Sequence, residues 1–175
     1  MTECESLLEE FSVPKNVLEH SEKVRLVANA IAKKISKKKE MNLEAVDKAA
    51  LLHDFMKLHC VNNDCRHAIE AGKILRERGY PEFAELVKLH GLEEVNNFGA
   101  KTPVEAKIIW YADKRVNHST IVTLGERYDY LREKYGSSSE QKMSEINSTW
   151  KNALKVEEEL LSLSGFERDY LFGDC

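Results

Sequence analysis

Apolar residues recur along this chain at spacings of three and four, and sustained strand-like alternation is absent, which points to a helical fold. Val17, His20, Val24, Val27, Ile31 and Ile35 form one stripe of a helix expected from about Asn16 to Lys38. Asn42 is placed to cap the next helix, whose Ala45, Ala49 and Leu52 face inward. Asn63 or Asp64 could start a fourth, running to Gly79 with Arg76 and Arg78 in its last turn. Pro81 suits a first helical turn, and Phe83, Leu86, Val87 and His90 follow on one face. Thr102-Pro103-Val104-Glu105 reads as a capping box opening a helix with Ala106, Ile109, Trp110 and Asp113 on one stripe. Further helices are expected over Ser119–Tyr135 and Glu140–Leu163, the last with Met143, Ile146, Trp150, Leu154 and Leu161 inward. The one β-branched run, Thr120 to Leu124, is short. The expectation is an all-α chain.

A length of 175 residues suits one domain with a sizeable core. Hydrophobic residues at 42% and charged residues at 32% describe a globular balance. A net charge of −4 argues against a general nucleic-acid partner, and no apolar stretch approaches the roughly 20 residues that span a bilayer. The stretch Met1–Ser6 lacks the basic start and apolar core of a signal peptide, so a cytoplasmic location is expected. In that reducing setting Cys4, Cys60, Cys65 and Cys175 read as free thiols, the Cys60–Cys65 spacing being wider than a redox Cys-x-x-Cys pair. The run Lys33, Lys34, Lys37, Lys38 and Lys39 reads as a solvated helix end, where the dipole favours cations.

Against this pattern several polar residues fall on apolar faces. His20 lies with Val17, Val24 and Val27; His53 follows Ala49; His67 aligns with Ala71 and Ile74; His90 aligns with Phe83, Leu86 and Val87. Asp54 and Asp113 join them. A buried carboxylate is costly unless it is paired or bound to a cation. Four imidazoles and two carboxylates pointing into one small core explain one another when they surround one or two divalent metals.

The order of these residues resembles the HD-domain metal-dependent phosphohydrolases, whose signature is H…HD…D on separate helices of an all-α bundle. The resemblance rests on Asn16-Val-Leu-Glu-His20, on Ala49-Ala-Leu-Leu-His53-Asp54-Phe-Met-Lys57, on Val87-Lys-Leu-His90-Gly91 and on Ile109-Trp-Tyr-Ala-Asp113-Lys114-Arg115. It covers about 14–118 and implies a compact helical bundle there; the rest of the single domain, 119–175, reads from its own pattern as a helical C-terminal extension with a long last helix. It also implies one metal held by His20, His53, Asp54 and Asp113. His67 and His90 match the second-metal positions of some branches, with Asp54 as bridge, a layout nearest the symmetrical diadenosine tetraphosphate hydrolases. Two metals are preferred to one, and Fe, Mn, Co or Ni to Zn or Mg, because the donors are imidazole and carboxylate without thiolate.

The implied reaction is cleavage of a phosphoester or phosphoanhydride in a small nucleotide-like substrate by a metal-activated hydroxide. Asp54 would orient the water, Lys57 would contact substrate phosphate, and of the adjacent Lys114 and Arg115, which cannot both face it, Arg115 is favoured for a second contact. A non-catalytic nucleotide-binding module and, behind it, a di-iron oxygenase are the alternatives. Homo-oligomers are compatible with the sequence, and no nucleic-acid or membrane partner is expected. Phe55-Met56 replaces the commoner Ile-Gly after the His-Asp pair. His59 reads as an ordinary loop residue. For His118 a place in the pocket wall stays open, and Tyr128, Tyr130 and Tyr135 beside Arg127 and Arg132 read first as amphipathic packing.

Overall fold

A computed structural model describes residues 3–170. Its helices are α1 (Glu3–Glu10), α2 (Lys15–Ile35), α3 (Leu43–Leu52), α4 (Lys57–Asn63), α5 (His67–Glu77), α6 (Pro81–Lys88), α7 (Val104–Lys114), α8 (Leu124–Lys134) and α9 (Glu140–Ser164). Short 3-10 turns cover Leu92–Asn97 and Gly136–Ser138, and one two-stranded antiparallel ribbon pairs β1 (Val116–Asn117) with β2 (Thr120–Ile121). The fold is all-α with a long C-terminal helix. No helix among the described residues is long and apolar enough to cross a membrane.

The centre is α7. Every residue from Ala106 to Lys114 is buried, with Ile108, Ile109, Trp110 and Tyr111 fully enclosed, so this helix is wrapped on all sides. Such burial contributes about 1.5–3 kcal/mol for each large apolar side chain. Helix α2 lays its expected stripe against α3 and α7, and α5 and α6 form a hairpin whose second arm packs on α3 and α7. The tie between α2 and α3 is ionic: Asp47 accepts from Arg25 Nε and Nη2, both at 2.7 Å, and from Asn29 at 2.6 Å. The Arg25 hydrogen bonds hold the Asp47 carboxyl below its ordinary range despite its partial burial.

Helix α9 crosses α7 through charged groups. Lys107 donates to both carboxylate oxygens of Glu159 at 2.8 Å, and buried Glu157 accepts from Tyr111 Oη at 3.0 Å and pairs with Arg168 at 3.2 Å. The inward face of α9 is Ile146, Thr149, Ala153, Val156, Glu157, Leu160 and Ser164. Of the stripe expected from the apolar pattern, only Ile146 is buried. Met143, Trp150, Leu154 and Leu161 are half-buried, because the buried face follows the small and polar residues that fit closely against α7.

Other departures have local causes. Helix α2 stops at Ile35, three residues short of the expected end at Lys38, so that Lys33 and Lys34 of the basic run lie in its last turn. Asn63 and Asp64 end a helix instead of starting one: Asp64 adopts a left-handed conformation (φ 51°), and α5 begins at His67. That turn brings the Cα atoms of Cys60 and Cys65 to 4.6 Å, and a disulfide joins them, which corrects the free-thiol expectation for this pair. Cys4 is buried, and Cys175 lies outside the described residues. Thr102 makes no capping box. Its hydroxyl accepts from Gly99 N–H, while the Glu105 carboxylate takes Asn42 N–H and Pro103 occupies the cap. A capping box forms instead at Thr123 and Glu126, because the β1–β2 ribbon occupies the first residues of the helix expected from Ser119.

Gly72 sets the spacing of the α5–α6 hairpin. A Cβ there would lie 2.9 Å from the Ala84 carbonyl oxygen and 3.0 Å from Lys88 Cβ, so the helices touch backbone to backbone. Replacing Gly72 by Val is expected to cost about 2–3 kcal/mol through overpacking. That corresponds to a fall of roughly 5–10 °C in Tm for a chain of this size. Calorimetry of the variant checks it, and an unchanged or raised Tm would contradict the close approach.

Candidate metal centre

Four helix ends and the inward face of a fifth helix converge near one point. His20 projects from the inward face of α2, His53 caps the C-terminus of α3 with Asp54 next to it, and His67 is the first residue of α5. His90 stands just beyond α6, and Asp113 is the penultimate residue of α7. Apart from His67, whose side chain is 34% exposed, all are buried.

The donor atoms fall into two groups of three, His20–His53–Asp113 and Asp54–His67–His90, and within each group they lie within 4.8 Å of one another. Asp113 Oδ1 is 3.0 Å from His20 Nε2 and 3.7 Å from His53 Nε2. Asp54 faces both groups. Its Oδ1 lies 3.1 Å from His67 Nε2 and 3.5 Å from His90 Nε2. Its Oδ2 lies 3.6 Å from His53 Nε2 and 4.0 Å from His20 Nε2.

Backbone carbonyls choose the tautomers. His20 Nδ1 donates to the His118 carbonyl at 2.8 Å, His53 Nδ1 to Ala50 at 2.8 Å and His90 Nδ1 to Val87 at 2.6 Å. A neutral ring held this way presents its Nε2 lone pair to the centre, which is how imidazole ligands are oriented in metal sites. Here those lone pairs meet carboxylate oxygens and one another: His67 Nε2 and His90 Nε2 are 3.1 Å apart, and buried His53 Nε2 has no hydrogen-bond partner. Burial pushes His90 down to about 4 against the pull of Asp54, so at neutral pH its ring carries no charge. Acceptors facing acceptors in a buried site call for a proton or a metal cation between them. The donor set, four imidazole nitrogens and two carboxylates, fits divalent metal.

Charge supports the same reading. Burial alone would raise both carboxyls, yet both sit well below their ordinary range. Asp54 is held there by His53, His67, His90 and Lys57, and Asp113 by Lys114, His20 and His53. Lys57 Nζ donates to Asp54 Oδ2 at 2.5 Å. Lys114, the neighbour over which the sequence favours Arg115, is 5% exposed and donates to Asp113 Oδ2 and to the His90 carbonyl. It clamps the last turn of α7 to the turn that carries His90. Nothing in the periodicity flags it, because a lysine in the last turn of a helix looks like an ordinary response to the dipole.

The expectation that Arg115 grips phosphate is corrected. Arg115 is fully buried, and its donors reach the Val122 carbonyl, Tyr111 Oη and the Tyr170 carbonyl. It follows Lys114 in sequence and so points to another side of the helix end. A cleft of about 360 Å³ opens over His20, Asp54 and Lys57. Its walls come from Leu58 and Val61 on one side and from Asn117, His118, Arg127 and Tyr130 on another, with Tyr135 also lining it. His118 therefore belongs to the pocket wall. It is held at φ 54° in the β1–β2 turn, its carbonyl fixes His20, and its Nε2 meets Tyr130 Oη at 3.1 Å. Of the tyrosine and arginine group, Tyr128 and Arg132 instead pack in and around the core beside Trp150. His59 is exposed on α4, away from the cluster.

Removal of metal should therefore destabilise the folded chain. Dialysis against a chelator is expected to lower Tm, and returning Mn²⁺ at about 100 times its Kd should restore about 2–3 kcal/mol, several degrees. His53→Gln is expected to lose most of that response. A Tm indifferent to chelator and to added divalent ions would contradict the fit.

Comparison with curated proteins and with solved structures gives no match. The family model described as HD domain matches residues 17–117, more than half of the chain, and the matched span begins just before His20 and ends just after Asp113. The convergence of His20, His53-Asp54 and Asp113 within that span accords with the match, and the chain belongs to the HD-domain family.

Proposed function

We propose that this chain is a metal-dependent phosphohydrolase acting on a phosphoester or phosphoanhydride of a nucleotide-like small molecule. The observation that carries the reading is Asp54, a buried carboxylate with one oxygen toward each of two three-residue donor groups. His20, His53 and Asp113 would hold one divalent ion, His67 and His90 a second, and Asp54 both. Fe, Mn, Co or Ni suits this nitrogen and oxygen donor set better than Zn or Mg. Divalent ions in such a site acidify water toward neutrality and offset charge on a phosphoryl group.

The protein's own groups supply the rest. The backbone-locked imidazoles keep their lone pairs aimed without reorganisation. Asp54 is an acceptor able to orient the attacking water. Burial opposes the charge on Lys57, but Asp54 and Asp113 outweigh it, so Lys57 is a cation at neutral pH. Its side chain is 46% exposed and lines the cleft, where it can take a phosphoryl oxygen. Dinucleoside polyphosphates head the substrate list, followed by nucleoside monophosphates and cyclic nucleotides.

Phosphate release from such a panel, measured anaerobically with Mn²⁺ or Fe²⁺ present, tests the proposal. Metal-dependent release is expected, and Lys57→Met should lower kcat/KM by about 10²-fold while metal content is retained. Absence of release from every member of the panel by metal-loaded protein would overturn it.

A further inference from the structure

The cleft holds a cation that the metal chemistry does not use. Arg25, Arg66, Arg76, Arg78, Arg132 and Arg168 each pair with a carboxylate. Arg127 pairs with none among the described residues. Its Nη1 donates to the neutral amide of Asn117 at 2.9 Å, and its guanidinium lies 5.4 Å from the Tyr130 ring centre. Its Nε is buried without a hydrogen-bond partner. A guanidinium nitrogen shielded from solvent and left without a partner is costly.

Two features set this residue for a ligand. Arg127 and Lys57 line the same cleft, Lys57 paired with Asp54 and Arg127 with no carboxylate among the described residues. Two cations facing one space, one of them without an acid of its own, form a receptor for more than one anionic group. The guanidinium is also held in place by neutral groups: Asn117 fixes one nitrogen, and Tyr130, itself tied to His118, supports the plane. His118 in turn fixes His20 through its carbonyl, so the Arg127 wall is mechanically continuous with the metal centre. A planar guanidinium so fixed suits bidentate contact with a phosphate.

We infer that Arg127, with Asn117 and Tyr130, forms a subsite for a second phosphate group of the substrate, beyond the phosphoryl group held at the His/Asp cluster and Lys57. The identity of that first group rests on the phosphohydrolase reading above. Arg127 and Tyr130 lie past residue 117, where the HD-domain match ends, so the α8 segment is what confers the preference.

Calorimetric binding to the Mn²⁺-loaded protein, with each probe verified intact at the end of the titration, tests this. Orthophosphate, inorganic pyrophosphate and adenosine 3′,5′-bisphosphate are the probes, and wild type is compared with Arg127→Gln and Arg127→Lys. Wild type is expected to bind at least one doubly phosphorylated probe ten or more times more tightly than orthophosphate. Arg127→Gln should remove most of that ratio, and Arg127→Lys should keep part of it. Whether pyrophosphate or the bisphosphate carries the effect tells an anhydride-linked second phosphate from a separate ester. A ratio that Arg127→Gln leaves unchanged at equal metal content, or the absence of any preference in wild type, overturns the subsite. Failure of the hydrolase reading shows separately, as absence of phosphate release with the Arg127-dependent binding ratio intact.

Discussion

Two carboxylates buried side by side with four imidazoles are the constraint on which this structure depends. Asp54 is 2% exposed and Asp113 6%, and moving either from water into the interior costs several kcal/mol unless positive charge meets it. Lys57 and Lys114 each supply part of that charge, one to each carboxylate. Buried His90 stays neutral and adds no charge, whereas the two carboxylates raise His53 against its burial, so without metal a proton meets part of the charge that a divalent cation would meet when bound. Helix ends are spent on holding the donors around that space.

The helices serve this centre through their termini more than through their lengths. His53, His67, His90 and Asp113 all sit at or next to a helix end, where free backbone carbonyls are available to fix an imidazole. Ala50 and Val87 do so for His53 and His90, each three residues upstream of the ring it holds. His20 lies mid-helix and takes its carbonyl from His118, across the fold, so the β1–β2 turn is part of the metal centre although it carries no ligand. The left-handed conformation of His118 is the local cost of turning that carbonyl inward.

Much of this was legible in the sequence wherever a side chain contradicted its own face. His20 among valines and Asp113 beside Ile109 and Trp110 announce a buried polar cluster, and the order of the residues identifies its family. The α2 stripe and the cap at Asn42 were equally readable. What misled were residues whose roles depend on long-range neighbours. Arg115 has the chemistry of a phosphate ligand but faces the Tyr111 hydroxyl, and Lys114 beside it faces the centre; sequence cannot choose between adjacent positions on a helix end. On α9, close packing against α7 selected small and acidic residues over the larger apolar ones. Thr102 lost its capping role to a contact with Gly99, and Cys60 met Cys65 only because Asp64 turns the chain back.

The account stands on Asp54 serving two cations at once, so the position of the metals is the measurement that bears on it most directly. Anomalous diffraction from crystals of the Mn²⁺-loaded protein should show two peaks roughly 3.5–4 Å apart, the usual spacing of a two-metal site, one on each side of the Asp54 carboxylate. A single peak among His20, His53 and Asp113, with His67 and His90 left as an empty pair, would contradict the bridging role. Peaks that avoid Asp54 altogether would contradict the metal centre itself.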